Sequence, residues 1–147
     1  MPTDFERACF EDELVRVQGL VEAGRWKLAR DDSVPLGLTA EMHSLKAPTE
    51  LYLARVRWEH YFEPASVKFL NRETGADNDP RAWPQCAGFR PTSLDTCVNW
   101  TREGHLTHPE WAQSPHTAFA APEAPMQFVL LHLQMTLDTT YNGRGAP

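Results

Sequence analysis

Apolar residues near the start of the chain recur at helical spacing. In DFERACFEDELVRVQGLVEAG, Phe10, Leu14, Val17 and Val21 stand at i, i+4, i+7 and i+11, which predicts a helix with one buried face. Asp4 is a suitable cap, Glu6, Glu11, Asp12 and Glu13 favour the early turns, and Gly24 is a stop. Beyond it the period falls to two. RWKLARD is a short strand, and PLGLTAEMHSL sends Leu36, Leu38, Ala40 and Met42 to one face. ELYLARVRWEHYF sets Tyr52, Ala54, Val56 and Trp58 against Arg55, Arg57 and Glu59. ASVKFLN follows Pro64 and ends at RETG, a turn signal around Gly75. A helix followed by an antiparallel four-stranded meander is an α+β fold.

Over residues 76–125 the periodicity is lost, and seven of the twelve prolines gather there. The segment holds Trp83, Phe89, Trp100, Trp111 and Phe119, too much apolar surface to leave in water, so it reads as a long packed loop with a functional role. The last element, APMQFVLLHLQMTLDTTY, is amphipathic, with Met126, Val129, Leu130, Leu133 and Leu137 on its core face and Asn142 and Gly143 as left-handed stops. No internal repeat or linker composition interrupts the chain, and residues 1–147 read as one domain.

The formal charge of −6 is spread along the sequence, which argues against a nucleic-acid partner. No apolar run has the length of a membrane span, and the acidic N-terminus is unlike a signal peptide, so a cytoplasmic protein is expected. Cys9, Cys86 and Cys97 are then free thiols. The stretch TCVNWTREGHLTHPEW concentrates chemistry, placing Cys97 near His105, His108, Trp100 and Trp111. It reads as an ordered loop that either surrounds a reactive thiol or binds a metal.

Cys97 lies in the polar run SLDTCVNW, where exposure suits a nucleophile. Cys86 is the competitor, but WPQCAGF flanks it with Trp83, Pro84 and Phe89, which would raise its pKa. Cys9, beside Phe10 in the first helix, reads as core packing. Cys86, Cys97, His105 and His108 can alternatively be written as a zinc set, although no Cys-x-x-Cys pair supports it. A protease dyad is disfavoured because VNWTREGH, after Cys97, makes a poor helix to depress the thiol pKa.

YLARVRWEHYFEPASVKFLNRETG resembles the central part of a ubiquitin-conjugating (UBC-like) domain, with Tyr61, Pro64, Val67 and Phe69 in the matching places. The order of Cys97, then Trp100 or Trp111, then the helix over 124–141 extends the resemblance over most of the chain. It is similar to bacterial relatives of that family more than to eukaryotic members. The family's His-Pro-Asn motif ahead of the cysteine is missing, and His108-Pro109-Glu110 lies on the other side.

The resemblance implies a UBC-like fold and a cofactor-free transferase. Such an enzyme takes a ubiquitin-like protein from an activating enzyme as a cysteine thioester and passes it to an amine of an acceptor protein. Cys97 would accept the thioester and Asn99 would donate to the oxyanion. His105 or His108 would activate the thiol, and Asp95 would orient the amine. In that family the first helix docks the activating enzyme. Here Arg7 and Arg16 stand among Glu6, Glu11, Asp12 and Glu13, so the docked surface should be basic. The alternatives are an inactive UBC-like module that binds a ubiquitin-like protein or another partner, and a zinc-braced interaction domain.

Overall fold

In the computed structural model, which describes residues 1–147, the chain opens with helix α1 (Asp4–Val17). Thr3, rather than Asp4, caps it. The Thr3 hydroxyl accepts the Glu6 N–H at 3.1 Å while the Glu6 carboxylate accepts the Thr3 N–H at 2.7 Å, a reciprocal capping box. The helix stops at Val17, short of Gly24, because the chain tightens there and the Gly19 N–H bonds the Arg16 carbonyl. A 3₁₀ turn (Val21–Arg25) follows, and Val21 is 93% exposed. The buried face of α1 is therefore Glu6, Phe10, Glu13 and Val17, with Leu14 only partly covered.

Two buried glutamates on a core-facing stripe need acceptor duties, and both have them. Glu6 accepts the Tyr61 N–H at 2.8 Å. Glu13, 2% exposed, accepts the Met126 and Gln127 N–H groups at 3.1 and 2.8 Å and the Tyr61 hydroxyl. The acids that a partner would have met on α1 are thus partly sequestered, leaving Glu11 and Asp12 at the surface, paired with Arg30 and Arg16.

The expected meander is present as β1 (Lys27–Arg30), β2 (Gly37–Ser44), β3 (Ala47–Arg57) and β4 (Ser66–Leu70), antiparallel and adjacent in that order. Leu38, Ala40 and Met42 of β2 and Tyr52, Ala54 and Val56 of β3 enter the core, as their alternation predicted. The opposite face is not a free basic surface. Arg57 pairs with Asp31 at 2.6 Å, Arg55 with Asp77 at 3.0 Å, and the Lys68 Nζ donates to the Leu94 carbonyl at 2.8 Å.

The C-terminal helix, α3 (Pro125–Thr140), lies on β2 and against α1 and buries Met126, Val129, Leu130, Leu133 and Leu137 as expected. It has no local side-chain cap, and the Glu13 carboxylate from α1 fills that role. After it, Gly143 takes φ +100, while Asn142 is not left-handed. The tail runs back along residues 83–85 through the Gln85 N–H to Gly143 carbonyl and Gly145 N–H to Trp83 carbonyl bonds. One cluster of 24 buried residues joins α1, the sheet, Trp83 and α3, and Tyr141 packs against it.

The Glu6 carboxyl is held at about 2, well below its usual 4.5, first by the Thr3 N–H and then by the Tyr61 N–H and His60, against the opposing cost of burial. Its folded pKa is depressed. The stability it contributes is therefore complete above pH 4.5 and is lost as pH falls through that value towards about 2. Urea midpoints of the wild type are expected to fall over this window, and E6Q is expected to be less stable at neutral pH with a flatter acid limb. An unchanged slope in E6Q would reject the assignment.

Candidate functional site

The segment after β4 carries more regular structure than its composition suggested. FRPTSLDT folds as a hairpin of two-residue strands, β5 (Phe89–Arg90) and β6 (Asp95–Thr96), with Leu94 at φ +57 in its turn. A short helix α2 (Arg102–Thr107) and a 3₁₀ turn (Pro109–Gln113) follow, so the stretch read as loop is largely helical after Thr101. VNWTREGH does open a helix, because the Thr101 hydroxyl accepts the Gly104 N–H at 3.1 Å and caps it. The helix begins at Arg102, not at Cys97, so its N-terminal dipole is not aimed from the cysteine itself.

The hairpin and α2 are fastened to the free edge of β4. The Val67 N–H donates to the Glu103 carboxylate at 2.9 Å, and the Val67 carbonyl accepts the Thr96 hydroxyl at 3.1 Å. The Arg102 N–H bonds the Ala65 carbonyl at 2.8 Å. This cover removes an open sheet edge and fixes the position of Cys97, which follows β6 directly. The Cys97 N–H donates to the Gly88 carbonyl at 2.6 Å, extending the hairpin ladder by one rung. Gly88 has φ +81, and a Cβ there would meet Val98 at 2.6 Å, so the turn next to the cysteine requires glycine.

Cys97 is partly buried and outside any disulfide. Of the side chains expected around it, His105, His108 and Asp95 are hydrogen-bonded to other partners. Asn99 is exposed, and its backbone carbonyl accepts the His105 Nε2–H at 2.6 Å. His108 bonds Glu110 at 2.9 Å and stacks on Trp111 with centroids 4.4 Å apart, so both imidazoles have partners other than the thiol. Trp111 stays partly exposed and organises the two histidines instead of pinning the loop into the core, which Trp83 and Trp100 do. Asp95 makes a two-pronged ion pair with Arg90 and is not a free carboxylate for an incoming amine.

Cys86 lines a cavity of about 560 Å³ with Phe89, Arg90, Thr140 and Asn142, and burial pushes its thiol up to about 11. No group of three or more His, Cys, Asp or Glu side chains is placed to share a metal ion, so Cys86, Cys97, His105 and His108 do not converge as a zinc site. A second cavity of about 420 Å³ opens elsewhere, and its Arg72, Arg81 and Arg144 are each paired with a carboxylate. No helix is long and apolar enough to cross a membrane.

Arg90, Gly88, Thr101 and Gly104 are the site residues that sequence reasoning missed. Pro91-Thr92-Ser93, a cluster of turn-forming residues after Phe89, was the available hairpin signal. Comparison with family models, curated proteins and solved structures gives no match for this chain.

Proposed function

We propose that this protein is a cysteine-dependent acyl carrier of the ubiquitin-conjugating type, with Cys97 as thioester acceptor. The observation that carries the reading is the presentation of Cys97. A partly exposed thiol follows a short hairpin fastened to the meander's edge strand, with the guanidinium of Arg90 on the same hairpin. The order of helix, four-stranded meander, cysteine segment and core-packed helix supports it. In the reaction the Cys97 thiolate attacks the carbonyl carbon at the donor's C-terminus. A C–S bond forms and the donor's sulfur leaves as thiolate; an acceptor amine then forms the C–N bond, and Cys97 is expelled as the thiolate while the amine's proton passes to it or to water.

A ubiquitin C-terminal mercaptoethanesulfonate ester tests this without an activating enzyme. The expected product is a dithiothreitol-labile adduct mapped to Cys97, lost in C97A and retained in C86S. An adduct confined to Cys86, or none on either cysteine, sinks the proposal. The engagement of His105 by the Asn99 carbonyl and of His108 by Glu110 favours a second reading, a non-catalytic partner-binding relative, in which the adduct is absent while ubiquitin-like protein still binds.

A further inference from the structure

Arg90 and Asp95 face each other across the β5–β6 hairpin. The Arg90 Nε donates to Oδ1 at 2.7 Å and its second guanidinium nitrogen to Oδ2 at 2.6 Å. Side chains alternate along an extended strand, so Asp95 and Cys97 leave on one face while Thr96, fully buried between them, leaves on the other. Across from Cys97 the ladder holds Gly88, which adds no side chain. Arg90 is held protonated first by its hydrogen bond to Asp95, and a charge on Cys97 would add to that only in a minor way.

The other charged and titratable groups packed around this segment are already held. Lys68 on β4 binds the Leu94 carbonyl, and Glu103 on α2 binds the Val67 N–H. His105 binds the Asn99 carbonyl, and Arg102 pairs with Glu59. The remaining ionic pair on the face of the thiol is Arg90 with Asp95.

The geometry points to this pair as the ionic control on Cys97, the guanidinium favouring the thiolate and the carboxylate opposing it. The inference rests on Cys97 being the nucleophile and names what sets its reactivity. In the intact pair the two fields largely offset each other. Removing one member unmasks the other, so the two neutralising variants must act in opposite directions. D95N leaves Arg90 unopposed and increases the thiolate fraction, whereas R90Q leaves Asp95 unopposed and decreases it. A purely structural clamp behaves differently, because losing either half would loosen the hairpin in the same way. R90K keeps the charge without the planar fork, so it separates charge from geometry.

The test is iodoacetamide labelling of the full chain from about pH 6 to pH 9, resolved by mass spectrometry for Cys97 and Cys86, with circular dichroism on each variant. Near neutral pH, Cys97 is expected to label roughly threefold or more faster in D95N and slower by a similar factor in R90Q, with R90K close to wild type. Changes of the same sign in D95N and R90Q, or pH profiles that do not move, overturn the inference. So does a parallel change at Cys86, which would report hairpin opening. Opposite shifts without any ubiquitin adduct leave the ionic control standing and remove the conjugating reading. Adduct formation with labelling indifferent to both variants does the reverse.

Discussion

Replacing Glu13 by alanine is expected to destabilise the protein by roughly 3–5 kcal/mol, because one carboxylate serves two buried donors and a third that is half-buried. Its oxygens take the Met126 and Gln127 N–H groups, which open α3, and the Tyr61 hydroxyl. No side chain within α3 can substitute, since Ala124 stands at the cap position. Tyr61 is 1% exposed, and burial together with the Glu13 bond raises its phenol far above the ordinary range, so it donates a proton that nothing else nearby accepts. Alanine would leave the buried Met126 N–H and Tyr61 hydroxyl without their carboxylate partner and open a cavity on the core face of α1. For a domain whose whole stability is about 5–15 kcal/mol, that loss is a large fraction. Y61F removes only one partner and should cost about 1 kcal/mol, and E13Q, which keeps one acceptor oxygen, should fall between. Urea denaturation followed by tryptophan fluorescence measures all three, and an E13A midpoint close to wild type would show that α3 is not capped in this way.

Glu13 also marks where the sequence could and could not be read. Periodicity located α1, all four strands and α3, because each buries a stripe whose apolar members recur at one fixed period. It could not separate Leu14 from Glu13 on the helix, since a buried acceptor has the composition of a solvated acid until its donors arrive from elsewhere. Those donors come from residues 61, 126 and 127, a pairing invisible to any local pattern. The region over 76–125 was hard to read for a different reason. Its elements are two to six residues long, below the length at which a period shows, and side-chain bonds to β4 hold them. The placing of Cys97 outside the core was legible from its polar neighbours. Local spacing could not show which partners its neighbours take, since α2 turns His105 towards the Asn99 carbonyl and Trp111.

The second large effect is expected at Gly104, where alanine should cost about 2–4 kcal/mol and change the surroundings of Cys97. Gly104 is buried on α2 with ordinary helical backbone, so alanine would normally be the better helix former there. Packing reverses that preference. A Cβ would fall 2.1 Å from the Val98 carbonyl oxygen and 2.9 Å from the Trp111 ring. The oxygen is main chain and already accepts the Thr101 N–H and hydroxyl, so it cannot swing aside as a flexible side chain would. Either α2 lifts from the Cys97–Val98 segment or that segment shifts on β4. Both weaken the bonds through which Thr96, Glu103 and Arg102 fasten the site. G104A should therefore lower the urea midpoint and speed iodoacetamide labelling of Cys97 even where the protein remains folded. G24A is the control, because a Cβ at Gly24 meets nothing within 4 Å and its backbone is not left-handed. Equal stability in G104A and G24A would mean that α2 is not packed against the cysteine segment, and the positioning of Cys97 described above would fall with it.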